Sequence, residues 1–318
     1  MGSFILKLFG LLLAVLVGAF VYLYFMAPGT TARLLYEAQL RGLGMTESQV
    51  QVGDFNMTYI RGGQGEPLLM VHGFGADRTS WLAIAPYLTD RFEIIAPDLP
   101  GFGKTDHPMG ADYRVTTQVD RLRDFARAIG LEKFHLAGNS MGGAIAGTFA
   151  GRYPEQVSSL WLLAPAFVQS APMSEFGQRL TQGGPNPLLP ASHDQFDAVV
   201  DWVFAEPPYI PAPVQYHLAD TAIERRPLLQ DIFDQINAEK LVLETKLKGS
   251  TVPSLVMWGD QDRLLHVAGA GILDDALANS RMVVLEGIGH VPMMEAPEKA
   301  AQAFKAFESE LGAPAASQ

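Results

Sequence analysis

Residues 134–143 of the chain read FHLAGNSMGG, an apolar run that leads into the pattern G-x-S-x-G. The apolar run predicts a buried strand, and the small residues after it predict a helix. Ser140 would stand at a sharp turn, with Gly138 and Gly142 on either side because the neighbouring backbone leaves no room for side chains. The alternative is a glycine-rich turn whose serine is incidental. A strand before the motif and a helix after it favour a nucleophilic serine.

The rest of the chain alternates short apolar runs with segments of helical periodicity. The sequence predicts a hairpin at 50–52 and 55–60, followed by strands at 68–71, 92–96, 134–137, 157–163, 254–258 and 282–285. Helices are predicted at 115–129, 141–152, 267–277 and 298–311. This alternation indicates an α/β fold in which a mostly parallel sheet of eight strands is covered by helices on both faces.

Two further motifs follow strands near the end of the sequence. Residues 258–262 read WGDQD after the predicted strand at 254–258, and residues 287–290 read GIGH after the strand at 282–285. The carboxyl ends of parallel strands meet at one edge of a sheet, so a serine, an aspartate and a histidine would converge there. A histidine can remove the proton of a serine hydroxyl, and an aspartate holds the imidazole in the required tautomer.

Two aspartates compete for this role. Asp262 lies four positions beyond the strand end, where a loop residue can turn back toward the histidine, whereas Asp260 suits a turn in which it hydrogen-bonds its own backbone. We therefore favour Asp262. Among the histidines, His290 combines a glycine-flanked loop, a preceding strand and a position after both partners. The others are interpreted as packed or solvent-facing residues, namely His72, His107, His135, His193, His217 and His266.

A fourth element is the sequence VHGFG at residues 71–75, which follows a predicted strand. In a strand-end loop of this kind, the backbone N–H of Phe74 can join the N–H of Met141, the residue after the serine, to bind an oxyanion. The alternative is an ordinary glycine-rich turn. We predict that these two N–H groups form an oxyanion hole.

Composition excludes several classes of function. The chain has 318 residues, a formal net charge of -11 and no cysteine. An acidic chain is poorly suited to a phosphate backbone, so no nucleic-acid partner is expected. Without cysteine there are no disulfides, no thiolate nucleophile and no cysteine-ligated metal. No phosphate-binding, dinucleotide-binding or zinc-protease motif is found, so neither a cofactor nor a metal is expected.

The mean hydropathy is +0.12, and the apolar excess lies at the N-terminus. Residues 8–27 contain no charged residue, and a helix of that length spans about 30 Å, the thickness of a bilayer core. Tyr22, Tyr24 and Phe25 would lie at the membrane interface. The alternatives are a buried core helix and a cleaved signal peptide, but the bulky residues before Pro28 argue against cleavage. We predict a retained single-pass anchor.

Gly10, Ala14 and Gly18 recur at a spacing of four, which places small residues on one face of the anchor. This face would let two copies approach closely, so a homodimer is one interpretation; the other is that glycine is simply common in such helices. Basic residues flank both ends and do not decide the orientation. A short N-terminal tail before a large acidic domain favours a catalytic domain on the periplasmic or extracytoplasmic side of the cell membrane.

Between residues 167 and 250 the strand and helix alternation breaks, and the chain is rich in proline. We interpret this segment as a helical cap inserted into the fold. The predicted organisation is a transmembrane anchor at 1–28, a juxtamembrane helix at 29–46, a first core segment at 47–166, the cap at 167–250, a second core segment at 251–312 and a disordered tail at 313–318.

The motifs HGFG, DLPGFGKT, GNSMGG, WGDQDRLL and GIGH occur in this order. Together they resemble the α/β-hydrolase family over residues 50–312. With the N-terminal span, the chain is similar to membrane-anchored monoacylglycerol lipases and to single-pass bacterial phospholipases A of the PlaF type. The resemblance implies hydrolysis of carboxyl esters in glycerolipids, a triad of Ser140, Asp262 and His290, and a cap that residues 167–250 match by position only. Dimerisation through the membrane and juxtamembrane helix is a feature of the PlaF-type group, and a homodimer is one expectation that this resemblance offers.

We therefore expect a serine hydrolase that is anchored in a bilayer and releases a fatty acid from a lipid ester. Phe167, Val168 and Phe176 follow the sixth strand and are candidates for the lining of an acyl tunnel, although core packing explains them equally well. One alternative is a small-substrate esterase or carbon-carbon bond hydrolase whose anchor only localises the enzyme and does not select a lipid substrate. Another is a non-catalytic membrane sensor that binds lipid, although such a protein would be expected to have lost members of the triad.

Overall fold

The computed structural model describes residues 2–311 of the chain. The predicted disordered tail at 313–318 lies outside the described residues. The strands are β1 (Thr46–Val52), β2 (Phe55–Gly63), β3 (Glu66–Val71), β4 (Phe92–Pro97), β5 (Phe134–Asn139), β6 (Val157–Leu163), β7 (Ser254–Gly259) and β8 (Ser280–Leu285). The helices are α1 (Gly2–Met26), α2 (Pro28–Gly42), α3 (Val115–Ala128), α4 (Met141–Arg152), α5 (Glu175–Thr181), α6 (His193–Val203), α7 (Ala212–Glu224), α8 (Arg226–Ala238), α9 (Leu243–Leu247), α10 (Gly269–Ala276), α11 (Pro292–Glu295) and α12 (Pro297–Leu311).

These strands form one sheet in the order β1-β2-β4-β3-β5-β6-β7-β8. β2 pairs antiparallel with β1 and with β4, and the other neighbours pair in parallel. The predicted α/β fold with a mostly parallel, eight-stranded sheet is thus confirmed. Because β5, β7 and β8 run in the same direction, the loops that follow them open at the same edge of the sheet.

Alternate residues of each buried strand point to opposite faces of the sheet, and two apolar cores result. In β3, Leu69 packs into the core that contains α3, α4 and α10, whereas Leu68 packs into the core that contains α12. In this second core the ring of Trp161 stacks on the ring of Phe304, with the centroids 4.4 Å apart. Helices therefore cover both faces of the sheet, as predicted.

Residues 167–250, all of which the structure describes, contain helices α5 to α9 and no strand. α8 turns an apolar side toward the first core and buries Leu228, Leu229, Ile232 and Ile236 there. α7 packs along α2. This segment is therefore in contact both with the sheet and with the N-terminal helices.

α1 is long and apolar enough to cross a membrane, since its segment Phe4–Met26 has 23 residues with a mean hydropathy of 2.6 and none of it is buried. Apart from the adjacent residues and the nearby backbone of α1 itself, no described atom lies within 4 Å of the position that a Cβ would take on Gly10 or Gly18. α2 begins at Pro28, before the predicted residue 29, because proline is favoured at the first position of a helix. The Thr31 hydroxyl donates to the carbonyl of Leu23 at 2.7 Å, which ties α2 to α1.

Tyr36 joins α2 to the sheet. Its hydroxyl donates to Oε2 of Glu47 on β1 at 2.6 Å and accepts from Nε of Arg78 at 3.1 Å. Arg78, whose side chain is 3% exposed, also forms ion pairs with Glu47 and with Asp98 at the end of β4. Removal of one partner from such a buried network would leave an uncompensated charge. α2 is therefore held firmly against the core.

Candidate active site

Ser140 lies at the turn between β5 and α4, with a φ of 55° and a ψ of -119°. A positive φ is a strained conformation for a residue other than glycine. The Ser140 N–H donates to the carbonyl of Leu163 at 3.1 Å, and its carbonyl accepts from the N–H of Ala144 at 3.1 Å and of Ala166 at 2.9 Å. Hydrogen bonds to three surrounding segments thus hold the serine in its strained position.

The glycines on either side of Ser140 allow the backbone to pass closely. A Cβ on Gly138 would overlap the carbonyl oxygen of Gly142, and a Cβ on Gly142 would overlap the carbonyl oxygens of Val71 and His72. Overlap with backbone atoms cannot be relieved by rotation of a side chain. The sequence-based requirement for glycine therefore has a direct steric cause.

Asp262 and His290 are brought together by the loops after β7 and β8. Oδ2 of Asp262 lies 2.8 Å from Nδ1 of His290, and the two side chains are 0% and 4% exposed. Oδ1 of Asp262 accepts from the N–H of Leu264 at 2.9 Å and of Leu265 at 3.0 Å. Because an ionised carboxylate only accepts hydrogen bonds, Nδ1 carries the proton and Nε2 can accept one from a hydroxyl.

Asp260 has a different partner from the one that the sequence suggested. Its Oδ1 accepts from the N–H of Gly287 at 2.7 Å, across to the loop that carries His290, rather than from its own turn. The Asp260 N–H donates to the carbonyl of Leu285 at 3.1 Å. Asp260 therefore braces the backbone of the histidine loop, while Asp262 contacts the imidazole.

Asn139 links the serine turn to the histidine loop. Its Nδ2 donates to the carbonyl of Leu163 at 3.0 Å and to the carbonyl of His290 at 3.1 Å. The side chain is buried. Since Asn139 directly precedes Ser140, this amide fixes the two loops relative to each other, a role that the sequence pattern did not reveal.

The loop after β3 also lies beside the serine. A Cβ on Gly73 would stand 3.2 Å from Cβ of Ser140, which brings the backbone of Phe74 next to the turn that carries Ser140. Within residues 2–311, the N–H groups of Phe74 and Met141 donate to no backbone or side-chain acceptor. In the described part of the chain, neither group therefore has an acceptor of its own.

His72 holds this loop in place, which the sequence-based interpretation of a packed histidine did not anticipate. Nε2 accepts from the N–H of Leu99 at 3.0 Å, so the proton lies on Nδ1, which donates to the carbonyl of Gly73 at 2.8 Å. Burial lowers the pKa of His72 and outweighs the hydrogen bond to Gly73, which raises it. The carbonyl of Gly73 and the N–H of Phe74 belong to one planar peptide unit, so fixing the first orients the second.

The three candidates for the acyl pocket lie in different surroundings. Phe167 and Val168 are half-buried against the core, and Phe167 has a φ of 67°. The ring centroid of Phe176 lies 6.4 Å from that of Phe233, which in turn lies 5.6 Å from that of Phe74. An aromatic series therefore connects Phe176 with the loop beside the serine.

His135 is buried near the start of β5, whereas Ser140 follows the end of the same strand. Its Nε2 lies 2.6 Å from Oε2 of Glu66, and its Nδ1 lies 2.9 Å from Oγ of Ser159 and 3.4 Å from Oε1 of Glu308. Burial lowers the pKa of this imidazole, but Glu308 and Glu66 together outweigh burial and raise it. Among residues 2–311, no group of three or more histidine, aspartate or glutamate side chains is placed to hold a metal ion.

Comparison with known proteins identifies the family. The sequence model of the family that is described as alpha/beta hydrolase fold matches residues 66–201. Lipase 1 of Psychrobacter immobilis is 37% identical over 295 residues, which are 91% of this chain and 92% of that lipase. The chain belongs to the α/β-hydrolase family. Human monoacylglycerol lipase ABHD6 is 32% identical to this α/β-hydrolase over 303 residues, 91% of the chain and 90% of the lipase.

A solved structure described as a membrane phospholipase A, a bacterial virulence factor, is also similar to this α/β-hydrolase. The TM-score is 0.87 and the identity 40%, and the match covers 98% of this chain and 99% of that structure. These relatives confirm the expected likeness to monoacylglycerol lipases and membrane phospholipases A. This α/β-hydrolase is a hydrolase of carboxylic esters.

Proposed function

We propose that the protein is a membrane-anchored serine hydrolase that releases fatty acids from glycerolipid esters through an acyl-enzyme. The hydrogen bond between Asp262 and His290, beside the strained turn of Ser140, carries this proposal. A lipid ester as substrate is supported by relatives that are named lipase, monoacylglycerol lipase and membrane phospholipase A and are 37%, 32% and 40% identical.

In the first half-reaction, Oγ of Ser140 attacks the acyl carbonyl carbon while Nε2 of His290 takes its proton. Asp262 stabilises the imidazolium that forms. The ester C–O bond then breaks, the proton passes from His290 to the departing alcohol, and the acyl group stays on Ser140. Water repeats the sequence in the second half-reaction, which releases the fatty acid and restores the serine. Neither a cofactor nor a metal takes part in the proposed mechanism.

In both half-reactions, negative charge develops on the carbonyl oxygen of the ester. The N–H groups of Phe74 and Met141 are the proposed donors to this oxygen. Phe74 lies in the loop that His72 holds and Met141 begins α4, so both N–H groups belong to fixed backbone and need little reorganisation as the charge appears. Each such donor contributes about 3 kcal/mol to the stability of a transition state.

Residues 167–250 are the proposed cap, and the acyl chain is proposed to lie between this cap and the core. The aromatic series from Phe74 through Phe233 to Phe176 supports a path for the chain away from Ser140. Phe167 and Val168 would contribute to the same lining. The apolar character of this lining favours medium or long acyl chains over acetate.

The proposed anchor is α1, with the catalytic domain on the periplasmic or extracytoplasmic side of the cell membrane. The exposed apolar surface of α1 supports the anchor, and the short N-terminal tail before a large acidic domain supports the proposed side. An anchor holds the active site near the bilayer and so raises the local concentration of lipid. A homodimer through Gly10, Ala14 and Gly18 is the proposed use of the small-residue face. Extraction of the protein by alkaline carbonate would contradict the anchor.

A fluorophosphonate probe tests the nucleophile. The native protein in detergent should be labelled at Ser140, and the Ser140→Ala variant should not be labelled or turn over any ester. Absence of labelling and of ester hydrolysis in the folded native protein would rule out the proposed mechanism.

Substrate profiling tests the lipid preference. Native and Ser140→Ala protein would be compared on phospholipid, lysophospholipid and monoacylglycerol in mixed micelles, and on soluble esters of increasing chain length. Release of fatty acid from at least one lipid class, with activity rising beyond short chains, is expected. A profile that peaks at acetate would instead favour an esterase for small soluble substrates.

A further inference from the structure

Glu295, at the C-terminal end of α11, holds two separate segments by their backbone amides. Its carboxylate accepts from the N–H of Gly289 at 3.1 Å, of Ala205 at 3.2 Å and of Glu206 at 3.0 Å. Gly289 directly precedes His290, whereas Ala205 and Glu206 follow α6 in the proposed cap. Within the described residues, every hydrogen-bond partner of this carboxylate is a backbone amide.

The same two segments also contact each other directly. The N–H of His290 donates to the carbonyl of Val203 at 2.8 Å. A Cβ on Gly289 would lie 2.7 Å from the nitrogen of Ala205 and 2.8 Å from the carbonyl oxygen of Val203, so only glycine permits this close approach. The backbone that carries the proposed catalytic base is therefore bonded to the end of α6.

Residues 204–211 connect α6 to α7. This connection contains prolines at 207, 208 and 211, and the side chain of Tyr209 is 87% exposed. α7 continues from it and packs along α2. A displacement of α6 or α7 will therefore act on the amides of Ala205 and Glu206, and through Glu295 on the backbone of Gly289.

We propose that Glu295 is a positioning residue that couples the connection between α6 and α7 to the placement of the His290 imidazole. The inference rests on the proposed catalytic role of His290. A carboxylate suits this task because it only accepts, and so it can bind amides of two segments at once. Movement of the connection displaces the base, which changes the rate of proton transfer more than the affinity for the ester.

The Glu295→Gln variant tests this coupling, because a glutamine of similar volume would present its own N–H groups to backbone N–H groups. We expect kcat on a soluble butyrate ester to fall between about tenfold and about a hundredfold, with KM little changed. Hydrogen exchange measured by mass spectrometry should become faster both at 204–206 and at 287–290. Glu298→Gln is the matched control, since Glu298 is exposed in the first turn of α12.

A second variant breaks the link from the other side. Ala205→Pro removes one N–H donor without a change at Glu295, and the ψ of 144° at Phe204 suits a following proline. We expect a smaller fall in kcat and faster exchange at 287–290. The coupling would be overturned if Ala205→Pro kept the native kcat and the native exchange rate at 287–290. It would also be overturned if Glu295→Gln changed the exchange rate only at 287–290. Failure of the native protein to react with a fluorophosphonate would instead refute the proposed function.

Discussion

Nδ1 of His290 lies 2.8 Å from Oδ2 of Asp262, and the second oxygen of that carboxylate is occupied by the amides of Leu264 and Leu265. Asp262→Asn keeps the shape of the side chain but replaces one acceptor with a donor, so the imidazole would be held in the wrong tautomer. We expect kcat on a soluble ester to fall about 10⁴-fold, as in other Ser-His-Asp triads. Steady-state kinetics measure this loss.

Asp260→Asn is the matched control for that substitution. The asparagine oxygen can still accept from the N–H of Gly287, which Asp260 binds at 2.7 Å. Activity should therefore fall far less than in Asp262→Asn. A comparable loss in both variants, or a larger one at Asp260, would show that the triad aspartate is assigned to the wrong residue.

His72 provides a second prediction, because its imidazole orients the peptide that carries the N–H of Phe74. His72→Ala would leave the carbonyl of Gly73 and the N–H of Leu99 without their present partners. We expect kcat to fall about 10²-fold, close to the loss of one oxyanion donor, with KM little changed. His72→Asn, whose amide N–H can take the place of Nδ1, should recover part of this loss. Equal activity of the two variants would contradict the role in orientation.

Gly142 gives a prediction about stability. In Gly142→Ala the new methyl group would overlap the carbonyl oxygens of Val71 and His72. We expect the free energy of unfolding to fall by about 3 kcal/mol or more, because backbone cannot yield as a flexible side chain does. Urea unfolding in detergent, followed by tryptophan fluorescence, measures the change.

Gly271→Ala in α10 is the control for steric overlap, since no described atom outside the adjacent residues and the nearby backbone of α10 lies within 4 Å of the added Cβ. Alanine is the better helix former, so this variant should be as stable as the native protein or up to about 1 kcal/mol more stable. A destabilised Gly271→Ala together with a native-like Gly142→Ala would disprove the steric argument.

His135 gives a prediction about pH. Its pKa in the folded protein is raised by Glu308 and Glu66 despite burial. The attraction between imidazolium and carboxylates therefore stabilises the fold fully below the unfolded-state pKa of about 6.5, and it is lost as the pH rises through the folded-state pKa. The difference in unfolding free energy between native protein and His135→Gln should be largest at acidic pH and should shrink toward pH values above the folded-state pKa.

Glu308→Gln is the appropriate companion to His135→Gln. It removes the larger of the two carboxylate contributions, so the effect of His135→Gln should depend less on pH in this background. An unchanged pH dependence would assign the stabilisation to a different group.

The sequence predicted the position of the sheet well because burial on both faces produces short apolar runs that turn residues bound. The predicted strand boundaries were wrong where the strand residues are not buried. β1 begins at Thr46 rather than at residue 50, since its first residues are polar and extend the strand only by pairing with β2. Such edge pairing depends on a partner strand and leaves no local pattern.

Within the candidate site, the residues that the sequence singled out have a motif around them, and the residues that hold the loops through a single side chain have none. Ser140 stands between two glycines and His290 follows two, whereas Glu295 lies in a short helix and resembles any solvent-facing glutamate. Its partners are amides of residues 6 and 90 positions away, at Gly289 and Ala205. Contacts of this kind arise only when the chain has folded.

With the proposed anchor in a bilayer, the firm attachment of α2 would determine where the active site meets its substrate. The helix has 15 residues, about 22 Å at 1.5 Å per residue, and Tyr36 fixes it to Glu47 and Arg78. With α1 in a bilayer, this rigid spacer sets one height and one tilt for the entrance of the active site. Encounters with substrate would then be governed by lateral diffusion of lipids in two dimensions. The enzyme would take its substrate from the adjacent leaflet rather than from lipid dispersed in solution.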